Sequence, residues 1–201
     1  MTNDRRLFSP STERNRSHIL AILQRLLPDP ATVLEIGSGS GEHAVYFCAH
    51  MPWLHWQPTD GDPAAIDSII AWISHSGLPN IAAPLELELH GETWSIRQAD
   101  AVVAINVLHY SPWSSTPALF RGAARLLPKD GLVYCYGPYR RGNAHIAASN
   151  AAFDEWLHGI DARFGVRDVE AVEAEARGHG FRLEELIEMP ANNFSLVFRR
   201  E

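Results

Sequence analysis

The spacing of apolar residues along the chain switches between the period of a helix and the period of a strand. Apolar residues recur at helical spacing over 12–27, and the stripe stops before Pro28, which predicts an amphipathic helix. A short apolar run at 32–36 predicts a buried strand, and the alternating glycines after it predict a tight turn. Helical spacing returns over 42–50. The chain therefore predicts a helix and then a strand, a glycine turn and a second helix.

Further strands follow, with helices between them. A second strand is predicted over 55–60, and leucines alternate with glutamates over 85–89, which predicts a third strand with one apolar face. The nearly continuous apolar run between Asp100 and Asn106 predicts a central parallel strand that is buried on both faces. The remaining predicted elements are helices over 63–76, 116–127, 154–164 and 168–179, a strand over 132–136, a polar loop over 137–143, and a terminal strand pair over 182–189 and 193–199.

The glycines at 37, 39 and 41 predict a nucleotide-binding turn. Glycine permits positive φ and has no Cβ, so backbone N–H groups can closely approach a ligand at the start of the next helix. The spacing is G-x-G-x-G, whereas the dinucleotide fingerprint is G-x-G-x-x-G. An acidic residue, Glu35, precedes the first glycine by two positions and favours a cationic ligand over a pyrophosphate.

At these residues the chain resembles the class I S-adenosylmethionine-dependent methyltransferases. The resemblance implies that a cofactor with an amino-acid moiety and a sulfonium lies over the turn. It also implies that the segment 1–28 covers this cofactor, and the polar start of the first helix, at 11–16, could contact the amino-acid end. The alternative is an ordinary glycine-rich turn that binds nothing.

Residues at the ends of neighbouring strands are further candidate cofactor contacts. Asp60 lies nineteen residues beyond Gly41, and an acidic residue about this far downstream can accept both ribose hydroxyls, although Asp60 can equally be a turn residue. Glu88 or His90 could meet an adenine amino group at the end of the third strand, although an exposed edge strand would alternate in the same way. Asn106 ends the fourth strand at the crevice where open α/β sheets bind ligands. The predicted cofactor-binding residues are Glu35, Gly37, Ser38, Gly39, Gly41, Asp60, Gly61, Glu88, Leu89, Asn106 and Val107.

Methyl transfer requires little acid–base machinery from the protein, because the cofactor carries an electrophilic methyl group. If the acceptor is a hydroxyl or a protonated amine, a base assists. His109 is the predicted catalytic base, because histidine titrates near neutral pH and this one follows the fourth strand at the crevice. Its alternative role is to satisfy backbone groups in the loop. The residues predicted to orient an acceptor are Tyr110, Tyr139, Asn150 and Asn193, and the pair Asn192-Asn193 can equally form a turn.

Composition narrows the classes of partner. The 201 residues carry a formal net charge of −7 and no run of Lys or Arg, which argues against nucleic acid or an anionic membrane as the main partner. The ten histidines lack metal-ligand spacing, so no metal is predicted. Cys48 and Cys135 both lie in apolar segments and indicate buried thiols. With no secretion signal or membrane span predicted, we expect a cytoplasmic protein with a small-molecule acceptor.

A narrower resemblance runs along nearly the whole chain. The chain resembles the methyltransferase-like 26 family of the class I superfamily, on the residues Glu13-Arg14-Asn15 and on the segments 33–43, 56–60, 106–109, 136–139, 149–154, 165–168 and 190–193. The departure is Glu88, where that family more often has Asp. The resemblance implies one Rossmann-like α/β domain over 1–201, with a mostly parallel seven-stranded sheet, an antiparallel last strand and helices on both faces.

Two other functions use the same sheet. A nicotinamide-dependent oxidoreductase would have G-x-x-G after the first glycine of the turn, and Ser40-Gly41-Glu42-His43 does not provide it. A cofactor-binding module without catalysis could instead regulate a partner protein through its acidic surface. The predicted residues mostly bind cofactor, so the sequence keeps this second alternative open.

Overall fold

Within residues 4–91 and 94–201, which the computed structural model describes, seven strands form one sheet and three short strands form a second. The first three residues of the predicted 1–28 segment lie outside the described residues. The elements in chain order are α1 (Pro10–Leu26), β1 (Ala31–Ile36), α2 (Glu42–His50), β2 (Leu54–Asp60), α3 (Pro63–Ser76), β3 (Leu85–Glu86), β4 (Ala101–Ile105), α4 (Ser115–Leu126), β5 (Leu132–Gly137), β6 (Tyr139–Arg141), β7 (Ala144–His145), α5 (Ala148–Ile160), β8 (Arg167–Asp168), α6 (Val169–Gly178), β9 (Phe181–Met189) and β10 (Asn193–Arg200).

The large sheet has the strand order β3-β2-β1-β4-β5-β10-β9. Neighbouring strands from β3 to β5 pair in parallel, and β10 is antiparallel to both β5 and β9. The order reverses beside β1, because the chain leaves β1 for β2 on one side and later returns to β4 on the other. The predicted fold class, an α/β sandwich with a mostly parallel sheet and an antiparallel last strand, is confirmed for the described part of the chain.

Alternate side chains of the central strands pack into two core layers. Val33 of β1 and Val103 of β4 lie in the layer that includes residues of α1 and α2. Leu34 and Val102, one position away on the same strands, lie in the layer that includes residues of α4 and α6. Every residue of β4 is buried, as expected for a central parallel strand with helices on both faces. No helix in the described segments is long and apolar enough to cross a membrane.

Two predicted elements differ from the structure near the site. The strand predicted over 85–89 is limited to β3, because the chain turns at Glu88, whose carbonyl accepts a hydrogen bond from the N–H of Gly91 at 2.9 Å. The helix predicted over 154–164 begins six residues earlier, at Ala148. Asp154 lies inside this helix, and its side chain accepts the N–H of Val166 at 2.6 Å.

The polar loop predicted over 137–143 contains the whole of β6. This strand pairs antiparallel with β7 and parallel with β8, which together form the small sheet. Gly142 and Asn143 have φ of 55° and 63°, and positive φ at two successive residues is the geometry of a tight hairpin turn. The pairing with β8 joins segments distant in sequence, so local pattern does not reveal it.

Candidate active site

The glycine turn between β1 and α2 has positive φ at all three glycines. A Cβ on Gly37 would lie 2.9 Å from Cγ2 of Val107, and a Cβ on Gly41 would lie 2.9 Å from Cα of Ile69. These two glycines are therefore required by packing. Gly39 has φ of 57°, and a Cβ built on it meets no described atom within 4 Å. The middle glycine therefore faces open space at the carboxyl edge of the sheet.

Asp60, at the end of β2, is hydrogen-bonded to this turn. Its Oδ2 accepts the backbone N–H of Gly39 at 2.8 Å, and its Oδ1 accepts the backbone N–H of Asp62 at 3.0 Å. The parallel pairing of β1 with β2 carries both strand ends to the same edge, where the N–H of Ser38 donates to the carbonyl of Thr59 at 2.9 Å. An acidic side chain therefore lies beside the open space over Gly39.

Glu35 lies beneath the turn rather than on its open side. The side chain is 1% exposed, and its Oε2 accepts hydrogen bonds from Oγ of Ser38 at 2.8 Å and from Nε1 of Trp56 at 3.0 Å. Burial raises the pKa of Glu35 to about 7, against the effect of these two hydrogen bonds, and the charge of Asp60 raises it further. The hydrogen bond between Glu35 and Ser38 thus stabilises the turn from its buried side. Direct contact of either residue with a ligand stays a prediction.

The remaining predicted cofactor contacts lie on three adjoining segments. The carbonyl of Asp60 accepts the N–H of Leu87 at 3.0 Å, which carries Glu88 and Leu89 past the end of β2. Gly61 and Glu88 are exposed, and Leu89 is half-buried. Val107 contacts the glycine turn from the end of β4. The structure thus brings these residues to one edge of the sheet, whereas their role in binding stays a prediction.

A cavity of about 770 Å³ opens next to this edge, at the ends of β4 and β5. One wall comes from the first turns of α1, through Ser11, Arg14, Asn15 and His18. A second wall comes from α5 and from the turn between β9 and β10. Between these walls the cavity is lined by residues that follow β4 and by residues at the end of β5. They are Asn106, His109, Tyr110, Tyr136 and Pro138. Asn106 therefore lines the cavity, and its neighbour in the chain, Val107, lies against Gly37 of the glycine turn.

His109 lies on a 3-10 turn, Leu108–Tyr110, that follows β4. The side chain is 2% exposed, and its ring centroid lies 5.1 Å from that of Tyr110 and 5.7 Å from that of Phe153. Burial lowers the pKa of His109 to about 3, and the nearby positive charge of Arg167 contributes. The expectation that this histidine titrates near neutral pH is therefore wrong, because the imidazolium would be desolvated beside another cation.

The residues predicted to orient an acceptor divide into two groups. Tyr110, Asn150 and Asn193 all line the cavity. Tyr139 does not belong with them, because it is buried in the core layer of α4 and α6, so it is not available to a ligand in the cavity. Strand β6 turns this side chain inward, which the loop predicted over 137–143 did not anticipate.

The amide nitrogens on the α5 side are engaged within the protein. Nδ2 of Asn150 donates to the carbonyl of Asn192 at 2.9 Å, and Nδ2 of Asn193 donates to the carbonyl of Pro190 at 3.0 Å. Ala191 and Asn192 have φ of 59° and 58°, so the turn is held in a left-handed conformation that these bonds support. The turn-forming alternative for Asn192 and Asn193 therefore agrees with their geometry.

A buried polar contact at the cavity was not identified from the sequence. Oδ1 of Asn15, on α1, lies 2.8 Å from Nε2 of His43, on α2. The Asn15 side chain also hydrogen-bonds Tyr136, whose pKa is raised by burial and lowered by this bond and by the charge of Arg14. The polar start of α1 was a signal for Asn15. Nothing in the local pattern marks Tyr136, since it ends an apolar strand.

The comparisons with known proteins bear on this arrangement. A family model described as "Protein of unknown function (DUF938)" matches residues 6–200. The chain belongs to this family. The match covers the glycine turn and every residue named above that lines the cavity, so the candidate site of this DUF938 chain lies within the matched region.

Solved methyltransferase structures have the same fold. An O-methyltransferase family protein from Burkholderia thailandensis is 17% identical and superposes with a TM-score of 0.80 over 95% of this chain and 57% of its own. CalO1, a methyltransferase in calicheamicin biosynthesis in its SAH-bound form, is 16% identical, with a TM-score of 0.74 over 95% of this chain and 55% of its own. A putative sarcosine dimethylglycine methyltransferase from Galdieria sulphuraria is 12% identical, with a TM-score of 0.76 over 97% and 92%.

The DUF938 chain spans little more than half the length of the first two of these proteins. At such identities the similarity shows the fold alone. It establishes that the described part of the chain has the same α/β fold as these methyltransferase structures.

Proposed function

We propose that this protein is an S-adenosylmethionine-dependent methyltransferase that transfers a methyl group to an oxygen or nitrogen atom of a small-molecule acceptor. The observation that carries the proposal is the open space over Gly39. Its two neighbouring glycines have no such space, and the carboxylate of Asp60 borders it. The methyltransferase neighbours, one of them in an SAH-bound form, support the same cofactor.

The residues of the turn fit the cofactor by their chemistry. Asp60 supplies a carboxylate that can accept hydrogen bonds from the ribose hydroxyls. To do so, its Oδ2 must give up its hydrogen bond with the N–H of Gly39 or accept both donors at once. The open face of Gly39 leaves room for a ligand against the backbone. When bound, the cofactor would supply an electrophilic methyl group for transfer to the acceptor atom. The turn therefore binds and orients, and no described side chain is needed to activate the methyl group.

His109 acts on the acceptor side. With its pKa lowered to about 3, its ring is neutral at physiological pH, and no described residue hydrogen-bonds either ring nitrogen. A neutral ring nitrogen can accept a hydrogen bond from an acceptor hydroxyl and orient its lone pair. A general base works best when its pKa is near the operating pH, which is not the case for His109. We therefore assign His109 primarily the role of positioning the acceptor, and proton acceptance is its secondary role.

The proposal extends to the finer features of the protein. The chain functions as one methyltransferase domain over 1–201, with the segment 1–28 covering the cofactor through the first turns of α1. It is related to the methyltransferase-like 26 family through the motifs given above. Its free, buried Cys48 and Cys135 are consistent with the reducing cytoplasm.

Calorimetric titration with S-adenosylmethionine, its demethylated product and NADH tests the cofactor. We expect micromolar binding of the first two and none of NADH, and preferential NADH binding would support the oxidoreductase instead. Incubation of cell extract with cofactor labelled in its methyl group then tests transfer. Label is expected in the small-molecule fraction. Cofactor binding without transfer to any fraction would support the non-catalytic module.

A further inference from the structure

The charges around the candidate site are unevenly divided between its two parts. The carboxylates of Glu35, Glu42 and Asp60 lie on or beneath the glycine turn. The adjoining cavity has no acidic residue among the described residues that line it, although the whole chain carries a net charge of −7. The cavity contains Arg14 instead. An anionic group is therefore favoured in the cavity, and a cation is favoured over the turn.

Arg14 is a cationic donor that the cavity leaves available. No carboxylate among the described residues forms an ion pair with it, whereas Arg25 is paired with Glu185 at 2.8 Å. The amide nitrogens of Asn150 and Asn193 already donate to backbone carbonyls. A guanidinium without a partner, projecting from the first turns of α1, can make a bidentate contact with a carboxylate.

Another part of the cavity lining is aromatic. Tyr110 is 42% exposed, and its ring centroid lies 6.0 Å from that of Phe153, which also lines the cavity. Trp156 stacks on Phe153 with centroids 5.6 Å apart and is itself 54% exposed. Exposed aromatic rings arranged next to a cavity form a surface on which a flat ring can stack. The volume of about 770 Å³ is that of a site for a small organic molecule.

We propose that the acceptor is a planar aromatic acid, whose ring packs against Tyr110 and Phe153 and whose carboxylate binds Arg14. This deepens the proposed function and rests on it, because the cavity is the acceptor site only if the turn holds the methyl donor. The two features required of the ligand come from different parts of the lining of one cavity. Either feature can be removed by substitution while the other is retained.

The probes are aromatic acids paired with their primary amides, beginning with 4-hydroxybenzoate and 4-hydroxybenzamide. These pairs keep the ring and change only the charge. Binding to the full chain is measured by saturation-transfer NMR and calorimetry, with and without the demethylated cofactor product. We expect the acids to bind at least about tenfold more tightly than the amides, with a preference that weakens as salt increases. Equal binding, preference for the amides, or no binding by any pair would overturn the proposal.

Arg14→Gln should abolish the preference for acids. Tyr110→Ala should weaken the binding of acids and of amides to the same extent. Arg16→Gln is the matched control, because Arg16 stacks on Tyr46 with its guanidinium carbon 4.7 Å from the ring centroid and does not line the cavity. An equal effect of both arginine substitutions would show non-specific charge and contradict the assignment. If the demethylated cofactor product does not bind, the proposed function is contradicted. Selectivity for acids that is measured in the absence of this product tests the cavity alone.

Discussion

The backbone N–H of Gly39 donates a hydrogen bond of 2.8 Å to Oδ2 of Asp60. The two residues are 21 positions apart, and parallel pairing of β1 with β2 brings them together. One carboxylate oxygen therefore fixes the conformation of the turn, while the other accepts the N–H of Asp62 and helps to start α3. The glycine turn and the acidic residue form one unit, and a change in either should affect the other.

Asp60→Ala should lower affinity for the demethylated cofactor product at least tenfold. Hydrogen bonds to a charged group contribute about 1.5–3 kcal/mol each, and the variant removes the only carboxylate predicted to accept the ribose hydroxyls. Calorimetry measures the dissociation constant. Asp62→Ala is the control, since Asp62 caps α3 through a 3.0 Å bond from the N–H of Ala64 and should cost about 1 kcal/mol of stability without changing affinity. An unchanged constant for Asp60→Ala would remove this residue from the site.

Gly39→Ala should weaken cofactor binding by about tenfold, because the new methyl group occupies the space over the turn. Gly77→Ala provides a matched comparison. Both glycines have positive φ, 57° and 63°, and neither Cβ would meet a described atom within 4 Å. Each variant should therefore lose a similar stability, about 1–2 kcal/mol from left-handed strain. If both variants bind cofactor like the wild type, the turn has a structural role only.

His109→Asn and His109→Gln should lower kcat more than tenfold and leave cofactor affinity nearly unchanged. Because burial lowers the pKa of His109 to about 3, the loss should be constant between about pH 5 and about pH 8. The measurement is kcat against pH with an acceptor from the labelling experiment. A rate limb near pH 6.5 that disappears in both variants would contradict this and restore a general base that titrates near neutrality.

His43→Gln should reduce the loss of stability in acid. Burial lowers the pKa of His43 to about 3, and the charge of Arg16 contributes. Unfolded histidine binds a proton below about pH 6.5, so between pH 6.5 and 3 the unfolded state binds more protons and stability falls as pH falls. Glutamine retains a donor for Asn15 but does not titrate. Urea unfolding across this range should show a shallower pH dependence for the variant, and an identical dependence would contradict the buried neutral state.

Glu35→Gln should act with the opposite sign. The folded pKa of about 7 lies above the unfolded value, so the folded state binds the extra proton and stability falls as pH rises from about 4.5 to about 7. The Gln carbonyl can still accept from Ser38 and Trp56. In urea unfolding the variant should lack this decline and should be more stable than the wild type above pH 7. If the variant shows the same fall in stability with rising pH as the wild type, a group other than Glu35 is responsible for that fall.

Local pattern was sufficient for the parts of the fold with strong periodicity. The buried run ending in Ile36, the apolar β4 and the closing strand pair were all predicted within a residue or two of their observed bounds. Pattern was insufficient where pairing partners are distant. Tyr139 lies in a polar segment, yet β6 pairs with β8 and buries it. The strand predicted at 85–89 stops early because the chain turns at Glu88, which alternation cannot signal.

The sequence by itself determined the order of the helices and of the seven strands of the large sheet, the glycine turn and the acidic residue at the end of β2. Each of these depends on neighbouring residues or on a regular spacing. Only the tertiary structure decided the protonation and accessibility of the site. His109 and Glu35 have ordinary side chains, and burial moves their pKa values in opposite senses, since desolvation disfavours the charged form of each. The meeting of Arg14 with Tyr110 and Phe153 around one cavity likewise depends on the packing of α1 and α5 across the sheet edge, which no local pattern contains.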